Sequence, residues 1–260
     1  MAARINYLGL DRPDLQYPIK EACRGMANPL VRHARMVKRV GRYLVGAPRL
    51  IWEFPWQGLE DIDTYTDSDW AGCRRTARST SGGAIMRGRH CLRTWSVTQK
   101  RVTLSSAEAE LGAAVKASSE TIGILQLAVG LGRKIIGRVH VDSSAALGVV
   151  ARRGNGKLRH VRVGMLWVQQ LAEAGELEYR KVLGTCNPAD LLTKHQPAAK
   201  IVQYLELLGQ HTCGGRAVEG LQANSCSLAR PSSQRRNEGD EECNTVACQC
   251  VYRLYHSACT

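Results

Sequence analysis

The sequence predicts an α/β fold: one mixed sheet with helices on its faces, a short helical N-terminal segment and a disordered C-terminal tail. Three observations lead there. Between residues 61 and 196, strand and helix patterns follow one another in the order βββαβααβα, which supplies five strands for one sheet. In the first 60 residues a helical pattern follows a stretch punctuated by Pro13, Pro18 and Pro29. From about residue 209 the periodicity gives way to Gly214-Gly215, Pro231-Ser-Ser-Gln-Arg-Arg and Asp240-Glu-Glu, which are loop and disorder signals.

Each element has its own reason. Residues 31–45 read as an amphipathic helix, with Val31, Ala34, Val37, Val40 and Leu44 on one face and Arg32, Arg35, Lys38, Arg39 and Arg42 mostly on another. The basic side reads either as solvated surface over a core stripe or as a phosphate-binding face. Residues 62–67 alternate as a strand does and end in a loop. Residues 82–88 and 91–97 are two short strands, with a turn at Gly88-Arg89-His90. Ser105-Ser-Ala-Glu108 has the capping-box form, in which Ser and Glu side chains satisfy free N–H groups at a helix start, and Ala-rich sequence continues that helix to about Leu131. Residues 135–141 form a buried-type strand ending at Asp142, and 143–150 a short helix. Residues 160–174 form another helix and 177–182 the last strand. Asn187-Pro188 opens a final helix with proline in its first turn.

The net charge of +13 divides unevenly. Residues 1–60 carry 10 basic and 5 acidic side chains, residues 61–196 carry 20 and 12, and residues 197–260 carry 6 and 6. The excess in the first three quarters attracts a polyanion such as nucleic acid, or serves solubility alone. With 44% hydrophobic and 23% charged residues the chain is globular, which excludes wholesale disorder. Gln126, Arg133 and Lys134 interrupt the longest apolar run, so no membrane span or membrane partner is expected. The N-terminus lacks the apolar core of a secretory signal, and an intracellular location, cytoplasmic or nuclear, is expected. Cys23, Cys73, Cys91 and Cys186 are scattered and read as reduced thiols. In the tail, Cys243, Cys248, Cys250, His256 and Cys259 offer zinc ligands at a spacing that fits none of the usual fingers. There is no phosphate-binding G-x-x-x-x-G-K-[ST] loop, G-x-S-x-G elbow, H-E-x-x-H or G-x-G-x-x-G pattern.

Four carboxylates stand where strands end or helices begin: Asp67, Glu110, Asp142 and Asp190. Strand ends and neighbouring helix starts converge at one edge of such a sheet. Carboxylates crowded there repel and call for hard cations, and Mg²⁺ takes oxygen ligands. Two such ions about 3.5–4 Å apart can stabilise the attacking and leaving oxygens of a displacement at phosphorus. Aspartates at strand ends also serve as turn or cap residues, so residue type and position alone leave both roles open.

The sequence resembles the C-terminal part of the Pol polyprotein of copia-type LTR retrotransposons, its ribonuclease H domain. The resembling residues are Thr66-Asp-Ser-Asp-Trp-Ala-Gly72, Arg78-Ser-Thr-Ser-Gly82, Thr94-Trp-Ser96, Gln99-Lys100, Leu104-Ser-Ser-Ala-Glu-Ala-Glu-Leu111, Val141-Asp-Ser-Ser-Ala145 and Asn187-Pro-Ala-Asp-Leu-Leu-Thr-Lys194. Upstream, Arg12-Pro-Asp-Leu15 and Lys38-Arg-Val-Gly-Arg-Tyr-Leu44 look like the segment that joins the reverse transcriptase to its ribonuclease H. The resemblance implies a ribonuclease H-like mixed five-stranded sheet over residues 61–208, a reverse-transcriptase connection-like segment over 1–60 and a low-order Cys/Ser-containing tail over 209–260. It implies that Asp67, Glu110, Asp142 and Asp190 hold two Mg²⁺ ions, with Mn²⁺ as a substitute, and cut the RNA strand of an RNA–DNA hybrid, leaving a 3′-hydroxyl. Ser68, Ser106, Ser143 and Lys194 are the candidate nucleic-acid contacts. A reverse transcriptase supplied in trans is the implied protein partner, since no Tyr-x-Asp-Asp pair is present.

Neighbouring residues have plainer readings. Asp69 is expected to be structural, Glu108 the capping partner, and Trp70 and Trp95 core residues; His160 is read as a surface or core histidine. The chain also departs from its family's pattern. His160 is kept, but Arg162 and Leu166 stand where an Asp and a second His are usual, and the loop 183–187 lacks the His that aids product release in cellular ribonucleases H. These departures support an alternative, a catalytically inactive nucleic-acid-binding remnant. An unselected pseudogene product is a third reading.

Overall fold

The computed structural model describes residues 2–58, 61–156 and 160–215. The tail beyond residue 215, with its candidate zinc ligands, lies outside the described residues. The described residues form one compact unit.

Three helices open the chain: α1 (Ala2–Asp11), α2 (Pro13–Cys23) and α3 (Val31–Gly46). Pro13 stands in the first turn of α2, where its missing N–H costs nothing. Leu15, Ile19 and Val40 are buried against Leu8, Tyr43 and Leu44. The buried Arg12 donates to both oxygens of buried Asp14 at 3.0 and 2.7 Å, and the Tyr43 hydroxyl donates to Asp14 Oδ2 at 2.8 Å, tying α2 to α3. The apolar face of α3 is not the expected one. Val31 and Ala34 are exposed, while Val40, Tyr43 and Leu44 turn inward. At about 100° per residue, Val31 lies roughly half a turn around the helix from Val40, so the two cannot share a buried face.

After β1 (Arg49–Trp52) come β2 (Ile62–Asp69), β3 (Thr80–Arg87) and β4 (His90–Thr98), an antiparallel meander. The chain continues through α4 (Ser106–Gly130), β5 (Gly137–Val141), α5 (Ser144–Val150), α6 (Trp167–Glu173), β6 (Glu178–Lys181), α7 (Ala198–Leu207) and β7 (Gln210–Cys213). The main sheet has the order β4-β3-β2-β5-β6, with β5 parallel to β2 and β6 parallel to β5. This is the mixed five-stranded sheet the sequence predicts. Ile62, Ile85, Trp95, Val139 and Val141 pack with Ala114 and Ala117 of α4, whose short side chains allow close approach. On the other face Ala84, Met86 and Cys91 pack with Leu191, Leu192, Tyr204 and Leu205. Successive residues of β3 thus serve opposite faces, as the pleat requires, and helices cover both.

Three boundaries differ from expectation. The 160–174 helix begins as a 3₁₀ turn, Val163–Leu166, because Val161 is buried in the core and Arg162 is extended. The final helix is split into a 3₁₀ segment, Pro188–Leu192, and α7, with Pro197 between them where an extended residue caps the new helix. Gln210–Cys213, placed by the sequence in the tail, pairs antiparallel with β1 instead. The N-terminal segment is held to the sheet by side chains: Lys20 Nζ donates to Thr80 Oγ1 at 2.8 Å and Gln16 Nε2 to Thr94 Oγ1 at 2.9 Å. Among the described residues no helix is long and apolar enough to cross a membrane.

Gly82 on β3 lets the 188–192 segment lie directly on the sheet. A Cβ there would stand 2.7 Å from Thr193 Cγ2 and 2.9 Å from both Ala189 O and Leu192 Cβ. Gly82→Val is therefore expected to lower stability by about 1–3 kcal/mol, because the neighbouring backbone must move to admit it. Urea unfolding measures this, and an unchanged midpoint would contradict the packing described.

Candidate metal centre

The parallel register of β2 and β5 brings two carboxylates together. Thr66 is paired with Val141, so Asp67 and Asp142 each follow one residue beyond, side by side at the C-terminal ends of the two central strands. Glu110 comes from the second turn of α4, whose start is fixed by Ser105: its Oγ accepts the Glu108 N–H at 3.2 Å. Glu108 Oε2 accepts the Leu104 N–H at 2.7 Å and lies 3.3 Å from His160 Nε2. The capping partner is thus as expected, one residue out of register, and His160 is exposed. One carboxylate oxygen from each of Asp67, Glu110 and Asp142 lies within 4.8 Å of the others.

Asp190, on the 188–192 segment, flanks this triad and is held by its own partners. Its Oδ2 accepts from the Tyr204 hydroxyl at 2.8 Å and from Gln196 Nε2 at 3.0 Å, and its Oδ1 pairs with Lys194. Asn187 anchors the segment: its Nδ2 donates to Thr66 O at 3.0 Å and its Oδ1 accepts the Ala189 N–H at 3.2 Å. The Thr193 hydroxyl donates to Asp67 Oδ2.

The electrostatics follow from burial and crowding. Asp67 and Glu110 are 5% and 8% exposed. Burial first, then the charges of Asp67 and Asp142, pushes the Glu110 carboxyl up to about 9. Burial also pushes Asp67 up to about 7, against the Thr193 hydrogen bond and with the charges of Asp190 and Asp142. Asp142 is raised by burial and by Asp190. Glu110 Oε2 is buried without a hydrogen-bond partner among the described residues. An unpartnered buried oxygen beside two further carboxylates is a hard-donor set that fits a divalent cation such as Mg²⁺ or Mn²⁺.

The other expected site residues fall around the triad. The Ser68 N–H donates to Glu110, and the Ser68 hydroxyl accepts weakly from Gln99 Nε2 at 3.5 Å. Ser106 is exposed in the first turn of α4. Ser143 caps α5, its Oγ accepting the Ala146 N–H at 3.2 Å, which leaves its O–H free to donate. Lys194 is half exposed beside Asp190. Asp69 turns into its own loop: a Cβ on Gly72 would lie 1.5 Å from its Oδ2, so only glycine fits there. Trp95 is core, whereas Trp70 is half exposed and donates to Thr103 O at 3.2 Å.

Sequence reasoning assigned no role to Thr193, Gln99, Tyr204, Gln196 or Lys181. Gln99 donates to Ser81 Oγ and to Ala109 O, each at 2.9 Å, linking β3 to α4 behind the triad. Lys181 donates to Asp142 O and to Ser144 Oγ. Thr193 and Gln99 lie inside the recognised motifs, which was a usable signal; Tyr204 and Gln196 lie outside them.

No family model matches the chain. It is 28% identical over 193 residues to the retrovirus-related Pol polyprotein from transposon RE1 of Arabidopsis thaliana, covering 73% of this chain and 13% of that protein. It is 30% identical over 207 residues to the retrovirus-related Pol polyprotein from transposon TNT 1-94 of Nicotiana tabacum, covering 77% of this chain and 15% of that protein. The chain thus spans a small fraction, 13–15%, of these relatives' length. Among solved structures it is similar to LC11-RNase H1, isolated from compost by a metagenomic approach, at 18% identity and a TM-score of 0.42, covering 52% of this chain and 94% of that one.

Proposed function

Because the chain is homologous to retrovirus-related Pol polyproteins of copia-type transposons, we propose that it is the ribonuclease H part of such an element and hydrolyses the RNA strand of RNA–DNA hybrids. The observation that carries this reading is the convergence of Asp67, Glu110 and Asp142 at the C-terminal ends of the central strands. The proposed cofactor is Mg²⁺, as two ions with Mn²⁺ as a substitute, held by these three residues and Asp190. When bound, it supplies Lewis acidity that neutralises charge building on the scissile phosphate. The rest falls to the chain's own groups. Thr193 orients Asp67, while Tyr204 and Gln196 fix Asp190. In this reading Lys194 meets a flanking phosphate, and the hydroxyls of Ser68, Ser106 and Ser143 meet sugar and phosphate oxygens. Positioning of this kind, with charge complementary to the reacting phosphate, is what lowers the barrier. In this reading the protein acts inside the cell, with a reverse transcriptase supplied in trans.

A second reading, binding without cleavage, is favoured by the loop 183–187. Its residue beside Asp142 is Gly184, where an added Cβ would stand 3.9 Å from Oδ2, so that position offers no proton-carrying side chain. One experiment separates the two. The full chain is incubated with end-labelled RNA annealed to DNA, in Mg²⁺ or in chelator. Metal-dependent shortening of the RNA is the expected result. An intact RNA that is still bound as hybrid would favour the second reading.

A further inference from the structure

We propose that the exposed basic face of α3 is a second nucleic-acid-binding surface, continuous with the carboxylate site, which holds the sugar-phosphate backbone of the substrate away from the cut. This rests on the nucleic-acid reading above. Arg32, Arg35, Lys38, Arg39 and Arg42 are all exposed. At about 100° per residue they share an arc of roughly 120° on the side of α3 away from the buried Val40.

The charges on this face have no role in holding the fold. The helix contains no acidic residue. Among the described residues, Arg35, Lys38, Arg39 and Arg42 have neither an ion pair nor a hydrogen bond. Three other cations of the N-terminal segment are engaged, Arg12 with Asp14 and Lys20 and Arg24 with Glu21, whereas Arg4 stands alone on α1, away from any row of like charges. Like charges three and four residues apart repel on a helix. A polyanion laid along them removes that repulsion and releases counterions.

Position connects the face to the site. Met36, Arg39 and Tyr43 of α3 line a cleft of about 400 Å³ together with Leu191, Lys194 and His195; Asp14 of α2 also lines it, with its charge already taken up by Arg12. Lys194 pairs with Asp190. Positive side chains therefore stand on both sides of this cleft, Lys194 beside the carboxylates and Arg39 on α3, with His195 between them. Burial, and then the charge of Arg39, hold the His195 imidazole below its usual range, as their proximity requires. From Arg32 to Arg42 the helix rises about 15 Å, over which a duplex carries on the order of nine phosphate charges. A lipid surface fits less well. The exposed apolar residues within and beside the basic arc are Val31, Ala34 and Val45, whereas helices that lie in a membrane interface present Trp, Phe or Leu.

The test measures binding of a fluorescein-labelled RNA–DNA hybrid to the full chain in chelator, by anisotropy over a salt series. Arg35→Gln/Arg39→Gln is compared with the charge-matched Arg133→Gln/Lys134→Gln, which alters exposed residues of the loop after α4. Lys38→Gln/Arg42→Gln repeats the test on the same face. Each α3 variant is expected to lose at least about 10-fold in affinity and to flatten the salt slope by about 1–2, near 0.9 per contact removed, while the loop variant loses less than about 2-fold. Equal losses in the α3 and loop variants would reduce the effect to net charge and overturn the proposal. So would unchanged hybrid binding, whether or not the α3 variants lose affinity for phosphatidylserine vesicles. No cleavage step enters this assay. A wild-type chain that fails to cut would remove the hydrolase reading and leave this one standing.

Discussion

Asp142→Asn is expected to abolish metal-dependent cleavage, by about 100-fold or more, and at the same time to raise the melting temperature of the metal-free protein. Both effects have one source. Asp142 brings a carboxylate oxygen to the triad, and its charge helps to push up both Glu110 and Asp67. Asn keeps the shape and removes the charge, so the metal-free site loses repulsion while the cation loses a ligand. Asp142 is half buried at the end of β5, and its side chain carries none of the contacts that hold the sheet. A destabilised variant would mean that Asp142 is structural. A variant as active as the parent would mean that the triad is not the site of catalysis.

The metal-free protein is expected to lose stability as pH rises from about 6 to 9, and saturating Mg²⁺ is expected to abolish that loss. The sign follows from the folded values. Glu110 at about 9 and Asp67 at about 7 both lie above the ordinary carboxylate range they return to on unfolding. Between those ranges the folded chain holds protons that the unfolded chain has released. The stability they contribute is full at acid pH and is lost as pH rises through the two folded values. A bound cation takes the protons' place and stabilises the ionised cluster, so its affinity rises over the same window. Each pH unit that separates a folded from an unfolded value corresponds to about 1.4 kcal/mol, and a domain of this size moves roughly 2–4 °C per kcal/mol. A fall of about 5 °C or more in chelator, absent in Mg²⁺, is the expected result of thermal scans at pH 6 and 8.5. A melting temperature that rises with pH in chelator would contradict it.

The sheet and the triad were legible because local signals and register agreed. Alternation marked the strands, Ser105 fixed the start of α4 and with it Glu110, and the parallel pairing of β2 with β5 set Asp67 beside Asp142. What escaped depended on distant partners. The β1–β7 pairing joins Arg49 to Cys213, two four-residue strands with little local pattern. The inward face of α3 is set by Tyr43 reaching Asp14, not by Val31 and Ala34 of its first turn. The partners of Asp190 were hidden because Tyr204 comes from α7, across the break at Pro197.

The most direct test of the triad is Mn²⁺ binding, followed by the loss of the free-ion electron paramagnetic resonance signal, in the wild-type, Asp67→Asn and Glu110→Gln proteins. The wild type is expected to take up Mn²⁺, with Mg²⁺ competing, and each variant to bind about 10-fold or more weakly. Equal Mn²⁺ uptake by all three proteins would place the cation elsewhere and contradict the account.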